Sequence, residues 1–514
     1  MKKRSLGPAS PRVSTSSTTL RNDIFLHSIK ILSARLIQIP LQIIMGLIIP
    51  KLVSPERYGL WRSLLLIKLY GNYSHMGTYQ TMAVEMPYVA GKGEWETRKR
   101  ICNNTFYYNL FISLFIGIGL ILISFFVKGE FSGFYRHGFR VFAFVVLSTN
   151  LIDFFYQLLR VEKEFPRIGV LTIVATATNV VLAVGLLNYL QNVVVLAYAI
   201  VISNIIALTL AIKKSGWPGF KDIQILEMWR QIRVGFPLML IGIMFEVVRS
   251  TDQIFIITFL RPEDMGYYGV ALSIQRMIYL IPGVLASTSM PYLFEEFGRT
   301  DSAIRVSHMF ETAVRIVSLI CAFTVVGMYV FIHLPIKYYL PQYLPALTPL
   351  YILLIGIFGM GLLGVADNFI IINGKGKTIL KWQGAALVLS IASNFAAIKL
   401  GYGIVGVATA TVVTYIFYST GILYSAYSQY IKKRTTIFIN IANLYVPFLY
   451  LCLFLVVITQ VLVNTGDSFL NDLLVSCARA GILLVIYIPL LIFYDRKLKV
   501  LATIKSSLMR NRGL

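Results

Sequence analysis

Twelve charged side chains fall inside long apolar stretches of this chain, and they are the residues whose types could do chemistry. Six are basic (Arg35, Arg62, Lys68, Arg249, Arg276, Arg315) and six acidic (Glu85, Asp153, Glu246, Asp252, Glu311, Asp367). A charge at mid-membrane costs about 2.5–3.5 kcal/mol on insertion scales, so such residues face protein or a water-filled cavity. Spacing sorts them. Glu311 and Arg315 are four apart on one helix face and read as a structural ion pair. Arg249 and Asp252 are three apart, with Glu246 a turn earlier; this trio is either a self-contained network or part of a site. Arg35, Arg62, Lys68 and Arg276 have no local acid and can converge on one cavity. There their planar or multi-donor cations would suit phosphate groups. For Arg62, near the end of its stretch, an anchor that snorkels to the interface is the competing reading. Glu85, Asp153, Glu246, Asp252 and Asp367 are candidates for coupling a proton or Na⁺, or for neutralising a nearby Arg.

The elements that must position these residues are membrane spans. Of 514 residues, 57% are hydrophobic and 14% charged, with a mean hydropathy of +0.72. Soluble domains carry nearer a quarter charged residues. A bilayer core needs about 20 apolar residues per helix, and on that template about fourteen spans fit. They lie near 27–50, 60–86, 104–127, 139–160, 168–189, 192–212, 234–260, 266–293, 309–333, 344–372, 379–399, 402–428, 441–463 and 474–494. The net charge is +24, but the basic residues cluster between spans, where they report topology rather than nucleic acid. With the N-terminus inside, about 31 Lys/Arg fall in inside loops and tails against about 8 outside, which places both termini in the cytoplasm. Four scattered cysteines, Cys102, Cys321, Cys452 and Cys477, form no CxxC pair and suggest neither a metal site nor a disulfide framework. No catalytic constellation, acidic motif in an outside loop or filter-like re-entrant segment stands out, which disfavours a glycosyl-transferring or polymerising membrane enzyme and a channel.

The chain also repeats. After the first span comes Pro55-Glu56-Arg57-Tyr58-Gly59, and after the seventh Pro262-Glu263-Asp264-Met265-Gly266. Each reads as a tight outside turn, with Pro at the second position and Gly where φ is positive. Thr178-Asn179 in the fifth span is echoed by Ser393-Asn394 in the eleventh. Six spans per unit gives parallel repeats about an axis along the membrane normal. The expected domains are a basic disordered tail (1–23), an N-lobe (24–213), a linker (214–233) and a C-lobe (234–428). A two-span hairpin with a basic tail (429–514) follows.

These stretches, together with MGTYQTMAVEMPYVAGKGEW, GFPLML, STDQIFI and LGYGIVGVATATVVTY, make the chain resemble one branch of the MOP exporter superfamily. That branch is the polysaccharide transporters, with O-antigen flippases of the Wzx type; lipid II flippases and MATE drug exporters are more distant members. The resemblance implies an all-α fold of two six-helix lobes around a central cavity, and alternating access in the plasma (inner) membrane. The implied substrate is a polyprenyl-diphosphate-linked oligosaccharide, moved to the outer face for polysaccharide synthesis. Lipid II flippases place cavity arginines in the first, second and eighth helices, which is where Arg35, Arg62 and Arg276 fall. Implied partners are membrane lipids and polymerase or glycosyltransferase machinery, with no nucleic acid, no metal and no cofactor beyond a coupling ion. A MATE-type drug exporter is the alternative, although it would want a more acidic cavity.

Overall fold

The computed structural model describes residues 45–220, 223–300, 303–462 and 468–498. Arg35 and both expected basic tails lie outside these residues. After a helical segment α1 (45–52) come α2 (Pro55–Gly71), α3 (Thr78–Gly91), α4 (Trp95–Phe126), α5 (Ser132–Val161), α6 (Phe165–Leu190) and α7 (Val195–Ser215). Then follow α8 (Ile225–Phe259), α9 (Pro262–Thr300), α10 (Ala303–Phe331), α11 (Leu347–Ile372), α12 (Gly376–Lys399) and α13 (Gly403–Tyr427). The hairpin α14 (Arg434–Val461) and α15 (Phe469–Leu498) ends the described chain. No strand occurs among the described residues. The all-α polytopic architecture expected from the sequence is the one observed, and among the described residues ten segments are long and apolar enough to cross a membrane.

The expected second span, 60–86, is broken. α2 and α3 are separated by a 3₁₀ turn, Asn72–His75, followed by Met76 (φ 43°) and Gly77 (φ 92°) in the left-handed region. Such a break survives inside a membrane protein only if its freed polar groups are satisfied. Asn150 of α5 does much of this, donating to the Ser74 hydroxyl at 2.9 Å and the Gly71 carbonyl at 3.4 Å. His75 Nδ1 accepts from the Gly77 N–H at 3.1 Å. The polar run Gly71-Asn72-Tyr73-Ser74-His75 marks this interruption within an otherwise apolar stretch.

In the first bundle α4 packs on α5, α6 on α7, and α5 on both α2 and α7. In the second, α11 is the buried centre, flanked by α9, α10 and α13, with α12 packed on α8 and α13. α9 runs between α2 and α11, so protein rather than lipid covers its polar residues. The hairpin leans on α10. There Asp472 of α15, fully buried, accepts from Lys337 Nζ at 2.8 Å and the Tyr338 hydroxyl at 2.7 Å. Chain direction puts the start of α2 and of α9 at one end of the molecule and the start of α8 at the other. From Arg230 to Pro262 is about 48 Å at 1.5 Å per residue.

Candidate functional site

The repeated Pro-Glu motif works differently from the turn expected of it. Each proline opens a helix, Pro55 after the cap Ser54 of α2 and Pro262 at the start of α9. Gly59 and Gly266 lie inside those helices, away from the left-handed region. What requires glycine is close approach. A Cβ at Gly59 would fall inside the contact distance of the Pro262 carbonyl, and one at Gly266 inside that of the Pro55 carbonyl. The two copies therefore dock reciprocally, each glycine receiving the other motif's proline. Tyr58 continues the contact, its hydroxyl 3.3 Å from Ser273 Oγ.

At the opposite end α3 and α4 meet α8. Gly77 and Gly235 approach backbone to backbone, and polar side chains add to them. Buried Gln231 accepts at its carbonyl from Thr81 Oγ1 (2.6 Å) and at Oε1 from Thr105 Oγ1 (3.0 Å). Its Nε2 donates to the Ile101 carbonyl at 3.2 Å. Arg230 grips Glu85 with two hydrogen bonds of 2.7 and 2.6 Å, and also pairs with Glu227.

Beside the Pro-Glu contact lies a cavity of about 380 Å³, walled by α1, α2, α6, α7 and α9. Its wall is mostly apolar. Arg276, in the middle of α9, is exposed although it stands deep in the bundle, because its side chain opens into this cavity. Arg62 and Arg249 share its electrostatic neighbourhood, as do Glu246 and Asp252. Arg62 is 6% exposed and reaches from α2 towards α9. Its stem fills the space left by Gly269, and its terminal nitrogen meets Gln253 Oε1 at 3.5 Å, while its Nε has no partner. A buried guanidinium of this kind is no interfacial anchor. Arg249 pairs with Glu246 at 3.0 Å and lies over the Phe245 ring. Asp252 accepts from the Tyr268 hydroxyl (2.6 Å) and the Gln253 N–H (2.7 Å). Of these charged side chains only Arg276 lines the cavity; the others stand behind it.

The other predicted residues fall elsewhere. Lys68 sits in the field of Asp153 from α5, a partner the sequence spacing could not show. Glu85 is occupied by Arg230. Asp367 of α11 neighbours Tyr279 and Tyr418, and its Oδ1 is buried without a hydrogen-bond partner. Glu311 and Arg315 pair at 3.4 Å, and Tyr430 also donates to Glu311. Sequence reasoning passed over Gln231 and Arg230, which it placed in a linker; Arg230 three residues after Glu227 was the available signal.

A search of curated proteins gives no significant match. Among solved structures, the lipid II flippase MurJ in an inward closed conformation superposes with a TM-score of 0.68 at 15% identity, covering 91% of this chain and all of that one. An inward-facing multidrug resistance MATE transporter of the MOP superfamily gives 0.63 at 16% identity, over 80% of this chain and 98% of that one. A MOP superfamily transporter from Pyrococcus furiosus, described as having a binding pocket of reverse polarity, gives 0.51 at 14%, over 80% and 95%. These likenesses establish the fold. Residues 48–348, more than half of the chain, match the profile described as polysaccharide biosynthesis protein. With the fold of MOP-superfamily transporters and this match, the chain belongs to the polysaccharide biosynthesis protein family.

Proposed function

We propose that the protein is a flippase that carries a polyprenyl-diphosphate-linked oligosaccharide across the membrane by alternating access. The observation that carries this reading is the Arg276 guanidinium, which opens into a largely apolar cavity. Arg276 binds the diphosphate, with Arg62 and Arg249 setting the field; Arg35, outside the described residues, and Lys68, which faces Asp153, are the further cations of the proposed set. The polyprenyl chain stays in lipid, and the glycan is held by neutral polar groups. Guanidinium suits the task because its planar donors match phosphate oxygens in pairs.

The loop charges orient the molecule. Both termini and the Arg230 end face the cytoplasm, the Pro-Glu end faces outwards, and the membrane is the plasma (inner) membrane. Residues 24–213 and 234–428 are the two moving lobes, and 429–514 is an appended unit. Asp367 has a buried carboxylate oxygen without a hydrogen-bond partner, as has Asp472 of the hairpin, and its place in the buried helix α11 suits it to couple a proton or Na⁺. Polymerase or glycosyltransferase machinery would receive the product.

Binding of a fluorescent short-chain polyprenyl diphosphate to the purified protein tests the site. Arg276→Ala should weaken it at least ten-fold, and Arg276→Lys less, because a point charge replaces a fork. Equal binding by all three proteins would overturn the assignment.

A further inference from the structure

The cavity has a second chemical face, opposite in need to Arg276. Thr176 and Asn179 are three residues apart on α6 and line the same space. Asn179 stands in the middle of a helix whose most apolar 18-residue stretch has a mean hydropathy of 2.2, where an amide needs a reason. Its Oδ1 is shielded from solvent and has no hydrogen-bond partner. The hydroxyl of Thr176, also in the cavity wall, spends its proton on the Thr172 carbonyl at 2.8 Å and keeps only acceptor capacity. Arg276 offers only donors and asks for an anion. The α6 pair offers acceptors and asks for an O–H or N–H.

The repeat supplies an internal control. Asn394 on α12 is the echo of Asn179. It is wholly buried, and its Nδ2 donates to the carbonyl and hydroxyl of Ser390, four residues earlier. The position four before Asn179 is Ala175, which has no hydroxyl to offer. Both amides leave Oδ1 without a partner, but Asn394 is sealed inside the second bundle while Asn179 lines the cavity. Asn394 thus serves its own helix, while Asn179 stands in the cavity wall.

We propose that Asn179, with Thr176, is the specificity-determining contact of the cavity. It takes a hydroxyl or amide N–H donor from the group attached directly to the anion that Arg276 holds. At about 380 Å³ the space is near the lower end of the roughly 300–1,000 Å³ range of small-molecule sites. It therefore suits one ring-sized polar group rather than a whole glycan. This inference rests on the flippase reading.

The test measures two affinities in each protein: for a short-chain polyprenyl diphosphate bearing one sugar, and for the same lipid without a sugar. Wild type should prefer the sugar-bearing lipid. Asn179→Leu should lower that preference about ten-fold, since only the sugar-bearing lipid uses the amide; Asn179→Ser, which keeps an acceptor, should lower it less. An unaltered preference in Asn179→Leu would overturn the proposal, and so would a wild type that binds both lipids equally well. Binding of neither lipid by wild type would instead overturn the flippase reading beneath it. The bare-lipid affinity in each variant reports folding.

Discussion

The two ends of the molecule hold their helices together by different chemistry. At the Pro-Glu end, glycine backbone meets proline backbone, and the apolar core runs unbroken from Tyr58, Trp61 and Phe142 of the first bundle to Met265 and Tyr268 of the second. At the Arg230 end the first bundle keeps a separate apolar cluster around Phe106, Phe154 and Phe155. There the approach of Gly77 and Gly235 is reinforced by Gln231 and by the Glu85–Arg230 pair. Backbone docking over a continuous core is unforgiving of a single added atom. Side-chain hydrogen bonds can exchange for water and re-form. Both ends have a glycine contact that admits no added Cβ, but only the Pro-Glu end lies over a core shared by the two bundles; under the proposed alternating access the Arg230 end is therefore the one expected to open first. The break between α2 and α3 separates the two, since α2 holds α9 while α3 holds α8. A span hinged at its middle lets one end part without the other.

The largest expected effect comes from adding one methyl to the firm end. In Gly59→Ala or Gly266→Ala the new Cβ overlaps the opposing proline carbonyl, a cost of about 1–3 kcal/mol or more to the closed contact. A cysteine placed at cavity residue Met277 should then react about 5- to 150-fold faster with a membrane-impermeant maleimide added from the Pro-Glu face. Unchanged labelling would remove the reciprocal glycine contact from the account.

A middling effect is expected at Gln231. Gln231→Leu leaves the buried Thr105 hydroxyl without its acceptor and removes the second donor to the Ile101 carbonyl, a loss of about 1–3 kcal/mol. Labelling of the same cysteine from the Arg230 face should rise about ten-fold while that from the Pro-Glu face stays low. A rise on both faces would show that the two ends are not independent.

The smallest effect should follow Glu85→Gln. Arg230 is 44% exposed and Glu85 21%, so water and salt screen the pair, which is then worth about 0.2–1 kcal/mol. Labelling from the Arg230 face should rise only two- to five-fold, and less at high salt. Exchanging the charges, Glu85→Arg with Arg230→Glu, should restore the parent value; a double variant worse than either single one would make the pair irrelevant to closure.

Much of the frame was legible in the sequence. Apolar periodicity gave the all-α membrane fold, and spacing gave the Glu311–Arg315 pair, because both partners sit on one helix. The copies of the Pro-Glu motif were visible as a repeat, but their meaning required knowing that the copies touch. Lys68 looked unpartnered because Asp153 is on another helix, and Glu85 met Arg230 from 145 residues away. Asn179 was noticed only as an echo; that it lines a cavity while Asn394 is buried depends on which helices pack around each, which the sequence does not display.

The central claim is tested most directly by translocation itself. Wild type reconstituted in vesicles should move a short-chain polyprenyl-diphosphate sugar from one leaflet to the other, and Arg276→Ala at equal incorporation should lose that movement. Full translocation by the variant would contradict the cationic cavity. No translocation by wild type across several glycans would contradict the substrate class and point instead to efflux of a cationic drug.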